Sequence, residues 1–187
     1  MITDKRPPSP SAFALAALGL GLFIIFDLMF FGCLGSSQIL LKTGNPAWRE
    51  IASFLPLSTA GSFAIILCAF ALLAHLQVLA IKHRSGELAI FSLVLLTTAT
   101  YIGKVIYSFI VLSNQGLLPS TTLSVAVYEV WISLHALHIL GAAGVLVGLN
   151  RKSVNQEIRQ QRVELWRWYC GFIVIIGLVM LGLFYVV

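Results

Sequence analysis

The chain has 187 residues, 59% of them hydrophobic and 10% charged, with a formal net charge of +5. Soluble domains carry roughly 25% charged residues, and a mean hydropathy of +0.95 excludes a water-soluble enzyme and a nucleic-acid-binding domain. The basic surplus belongs instead to membrane topology.

Residues 1–11 are polar and proline-rich and read as a short tail with no core of its own. The first apolar segment covers about 12–35, long enough for a spanning helix of roughly 20 residues. It is too long for a cleavable signal peptide and is followed by no small-residue cleavage site. Its only charge is Asp27. A polar connector with the turn signal Gly44-Asn45-Pro46 follows. The second segment, about 54–81, has His75 and Gln77 late in it, and the connector Lys82 to Glu87 is short enough to imply an antiparallel helical hairpin. The third, about 88–112, contains Lys104.

The fourth segment, about 122–149, holds the densest chemistry: Glu129, then His135 and His138, then Gly141-Ala142-Ala143-Gly144. Histidines three residues apart project from one helix face, and the small residues one turn later let another helix approach closely. Residues 150–167 form a long polar stretch whose apolar positions, Val154, Ile158, Val163 and Leu165, fit an amphipathic helix loosely, so it reads as a partly helical loop. The fifth segment, about 166–187, opens on the interfacial cluster Trp166, Trp168, Tyr169. Cys33, Cys68 and Cys170 lie in separate segments without metal-site spacing and read as small packing residues.

These elements predict an all-α polytopic bundle of five transmembrane helices in one domain. Five spans put the termini on opposite sides. Lys5, Arg6, Lys82, Arg84 and the five basic residues between Arg151 and Arg167 share one side, against Lys42 and Arg49 on the other. The positive-inside rule makes the richer side cytoplasmic, with the N-terminus inside and the C-terminus outside.

Counted along the helices at about 1.5 Å per residue, Asp27, Lys104 and Glu129 occupy one slab toward the outer side of the membrane. Isolated charges there are costly, so Lys104 is expected to pair with Asp27 or Glu129 inside the bundle, the alternative being that Glu129 and Lys104 snorkel to the interface and only Asp27 is buried. His135 and His138 sit near the midplane. Hydrogen bonding to neighbouring helices or lipid headgroups is the plainest role for them, with a metal or haem site and a proton relay as alternatives. A second histidine pair for haem ligation between helices is lacking. The sequence has no nucleophile beside a base, no phosphate loop and no acidic pair.

Three segments carry a resemblance. Leu22 to Gly32 (LFIIFDLMFFG), Ser133 to Gly141 (SLHALHILG) and Trp166-Arg167-Trp168-Tyr169 are similar, in their order along the chain, to segments of subunit III of the haem–copper respiratory oxidases, in the five-helix form typical of bacterial quinol oxidases. Asp27 matches that family's membrane carboxylate, and His135 and His138 match its paired histidines. The chain departs from the pattern at Gly171, where the family has histidine, and at Val174, where it has an acidic residue. The resemblance implies an accessory subunit with no catalytic centre and no cofactor of its own, haem and copper being held by the catalytic subunit I. It implies a place in a bacterial inner membrane beside subunit I and other subunits, contact with membrane lipids, support of proton uptake and oxygen access, and structural or lipid-contacting roles for Asp27, His135 and His138. Nucleic acid is not an expected partner. The accessory protein of nitric oxide reductases shares this pattern. A standalone membrane enzyme or transporter using His135, His138, Asp27 and Lys104 is the alternative of another class.

Overall fold

The computed structural model describes residues 10–151 and 156–185. The expected tail before Pro10, Val154 of the polar stretch and the last two residues of the fifth span lie outside the described residues. Five helices account for nearly all the rest: α1 (Pro10–Gly44), α2 (Leu57–His83), α3 (Glu87–Asn114), α4 (Leu123–Arg151) and α5 (Gln156–Tyr185), with a single 3-10 turn at Ile51–Ser53. All five are long and apolar enough to cross a membrane, and there is no strand among the described residues. The chain is a multi-pass membrane bundle.

Two helices are longer than their apolar runs. α1 was expected to stop near Gly35 but continues to Gly44. The hydroxyls of Ser36 and Thr43 donate to carbonyls one turn back, at Gly32 and at Ile39 and Leu40, so these polar residues stay helical. The Gly-Asn-Pro turn ends the helix because the residue before a proline is driven out of the helical region. α5 begins at Gln156, ten residues before the expected start of its span. Most of the polar stretch is therefore its first turns, not a loop: it is rich in glutamine, glutamate and arginine and holds no glycine or proline.

α2, α3, α4 and α5 form a four-helix ring in which each packs on its two neighbours, and α1 stands outside against α5 and α4. Two connections are local. Between α2 and α3, Arg84 (φ 54°) and Gly86 (φ 70°) occupy the left-handed region and turn the chain back on itself, as the short connector predicted. At the far end, Ile51 and Leu55 tuck under the bundle, each 1% exposed, and Lys42 pairs with Glu50 at 2.6 Å.

In lipid, apolar burial supplies close packing more than hydrophobic driving force, and polar links between helices matter more. The core is a heptad-like stack, Phe63, Leu67, Phe70 and Ala74 on α2 facing Cys170, Ile173, Gly177 and Met180 on α5. Polar ties close it at several depths. Trp166 Nε1 donates to Ala142 O (2.7 Å) and Gln38 Nε2 to Leu183 O (3.3 Å). At the basic end, Arg159 binds Glu87 (2.7 Å) and Asn150 (2.8 Å), and Gln156 reaches Ile81 O (3.1 Å). The first turns of α5 thus gather the ends of α2, α3 and α4. α1 buries only a narrow stripe, Phe31, Gly35 and Gln38, while Leu15, Leu18, Phe26 and Met29 face outward.

Candidate functional site

The two histidines of α4 are 60° apart around the helix axis by their three-residue spacing, and that angle is enough to separate their fates. His135 turns into the ring, toward α3 and α5. His138 turns outward to α1. The expectation of one shared face is corrected to two adjoining edges with different neighbours.

His135 is 1% exposed. Its Nε2 lies 2.9 Å from the carbonyl oxygen of Ile173, and its Nδ1 lies 2.7 Å from the hydroxyl of Tyr101. A carbonyl only accepts, so Nε2 carries the hydrogen and Nδ1 accepts from Tyr101. The ring is a neutral bolt across α3, α4 and α5. The carbonyl of Ile173 is open to it because the residue one turn on is Gly177: a Cβ there would stand 2.6 Å from His135 Nε2 and 2.7 Å from Leu67 Cδ1. Neither Tyr101 nor Gly177 was singled out from the sequence. Their signal was a tyrosine and a glycine in the middle of apolar spans, which looks like ordinary packing until the histidine's direction is known. Tyr101→Phe removes a donor and leaves a buried nitrogen unpaired, and is expected to cost about 1 kcal/mol. Thermal unfolding of the purified chain in detergent reads this as a small fall in midpoint.

His138 donates from Nδ1 to Leu134 O in its own helix at 2.7 Å, and its Nε2 faces Asp27 Oδ2 at 3.3 Å. The edge of Phe31 covers the ring, with centroids 5.3 Å apart. Asp27 Oδ2 makes no hydrogen bond, so its approach to His138 is a contact between the two groups and not a hydrogen bond. Side chains in the pair are 14–16% exposed, so the contact sits at the rim of the bundle.

The expected partner of Asp27 is thereby corrected. Lys104 pairs with neither Asp27 nor Glu129. Its Nζ lies over the rings of Phe63 (5.9 Å) and Tyr107 (5.5 Å), a cation–π arrangement. Depth along the membrane matched, but position around the bundle did not: α1 docks on α4 and α5, away from α3. Glu129 lies at the outer edge of the α3–α4 seam and has no charged partner among the described residues.

At the basic end a third group forms. Arg167 binds Glu164 and lies 3.3 Å from His75 Nδ1, and Trp168 Nε1 donates to Glu164 at 3.2 Å. No set of three histidine, cysteine or carboxylate side chains converges among the described residues. His135 has both nitrogens engaged and His138 has one, so the two rings do not offer lone pairs to a common point.

A scan of protein-family models finds no match to this sequence, and a comparison with curated proteins finds no matching relative.

Proposed function

We propose that the chain is an accessory, non-catalytic subunit of the subunit III type in a haem–copper terminal oxidase, held in a bacterial inner membrane with its basic end in the cytoplasm. One convergence supports this reading. The three segments that carry the resemblance are distant in sequence yet meet in space. Asp27 of the first contacts His138 of the second at 3.3 Å. Trp166 of the third donates to Ala142, just past the second, at 2.7 Å. Phe23 of the first packs on Tyr169 of the third, with ring centroids 5.6 Å apart.

In this reading haem and copper belong to the catalytic partner. This chain stiffens that partner, and its carboxyl and imidazole side by side at Asp27–His138 suit support of proton uptake. Lipid contact fits a trough of about 450 Å³ where the first half of α1 stands off α4 and α5. Its wall includes Leu20, Phe23, Val145 and Leu149, with Arg162 nearer the basic end. An apolar trough with one cation takes an acyl chain whose anionic headgroup sits at the interface.

Gentle detergent purification through a tag on this chain tests the reading. The expected result is a large haem-bearing subunit in the same fraction, with the haem absorbance following that subunit when the two are separated. Elution of this chain alone overturns the accessory role. A haem absorbance on the lone chain, lost on replacing His135 or His138, overturns it in favour of a cytochrome.

A further inference from the structure

Two intramembrane charges remain after the Asp27–His138 pair is assigned. Lys104 and Glu129 have opposite sign, and neither has a counter-charge among the described residues. Charges in hydrocarbon are expected to find partners. Their levels match. Lys104 Nζ is drawn toward Phe63 and Tyr107, which lie about 9–10 Å inside the far ends of α2 and α3; Glu129 lies about 9 Å inside the same end of α4.

Their positions around the bundle are complementary. α4 turns His138 to α1, and Tyr128 and Ala142 to α5. The buried edge of Ile132, Ala136 and Ala143 is left for α3, α4's remaining neighbour. Glu129 sits just outside that edge. Lys104 is on the opposite flank of α3, in the seam with α2. Between the two charges α3 presents an exposed strip containing Ala99, Gly103, Ile106 and Ile110, with open space above Gly103.

We infer that two copies of this chain pair through α3 about a twofold axis along the membrane normal, Lys104 of each copy facing Glu129 of the other. A twofold interface must be self-complementary. A face with a cation on one flank and an anion on the other, turned onto its own copy, opposes unlike charges twice. Membrane insertion gives both copies one orientation, so the axis can only lie along the normal. Ala99 and Gly103, four residues apart at the centre of the strip, permit the close crossing that small residues give helix pairs in lipid. This pairing stands apart from the proposed catalytic partner and does not depend on it.

The test uses the full chain in native membranes, with Cys33 and Cys68 replaced by serine. Oxidation of variants that add one exposed cysteine while the buried Cys170 is kept, Ala99→Cys and Gly103→Cys, is expected to give a disulfide-linked dimer, and Ile175→Cys, on the outward face of α5, is expected to give none. Lys104→Glu or Glu129→Lys alone should weaken dimerisation in detergent by about tenfold. The double exchange Lys104→Glu with Glu129→Lys should restore it. Restoration is specific to a second copy, because a different partner helix would not carry the compensating change. Crosslinking of Gly103→Cys to another polypeptide, a monomer under all conditions, or a double exchange no better than the single ones overturns the inference.

Discussion

Gly177→Ala is expected to be the most damaging single methyl group in this protein. The added carbon meets His135 Nε2 at 2.6 Å and Cε1 at 2.8 Å. Leu67, the other close neighbour, can swing its terminal methyl aside. The imidazole cannot, because Tyr101 and Ile173 hold it from both sides. Overpacking of this kind costs about 1–3 kcal/mol, and expelling the ring orphans buried groups worth another 1–3 kcal/mol or so. By the scaling for chains of this size, the unfolding midpoint should fall by about 10 °C. The check is a double-mutant cycle. Where His135 is already alanine, Gly177→Ala should cost far less, because the clash is with the ring. Equal costs in both backgrounds would show that the glycine serves some other contact.

Asp27→Leu and His138→Leu should each destabilise the chain by about 2 kcal/mol, and the double replacement should recover most of that loss. Removing one member of a buried pair leaves a polar group in an apolar setting, whereas replacing both with apolar side chains of similar size is often neutral. The single costs stay below the 3–5 kcal/mol of a fully enclosed pair, because the side chains are 14–16% exposed. Loss of α1 docking is the structural readout, followed by protease access to the connector between α1 and α2. Additive single costs would mean that the two groups do not interact.

The five spans were legible because hydropathy reports directly on what lipid tolerates. Helix ends were less so, since hydropathy marks the membrane boundary and not the end of hydrogen bonding. The polar first turns of α5 and the Ser-Ser-Gln extension of α1 both continue the backbone ladder beyond the apolar run. Site residues were legible as a set but not as a network. Depth is a one-dimensional quantity, and it placed Asp27, Lys104 and Glu129 at one level without saying on which side of the bundle each stood. Asp27 met His138, and Lys104 met two rings, because α1 lies outside the four-helix ring. Tyr101 and Gly177 escaped notice for the same reason. Their importance follows from the azimuth of one imidazole, which no periodicity in α3 or α5 encodes.

The placement of α1 also has a consequence for synthesis. α1 is made before α2 to α5, yet it has no substantial contact with α2 or α3 and rests on α4 and α5. About 110 residues must follow Asp27 before His138 leaves the ribosome. At roughly 5–20 residues per second, that is an interval of roughly 5–20 s. Throughout it, a helix with a carboxyl near its middle waits in the bilayer or in the insertion machinery, and its partner arrives only with the fourth helix. Assembly therefore runs against the order of translation at this point, and α1 is seated only after helices made later than it.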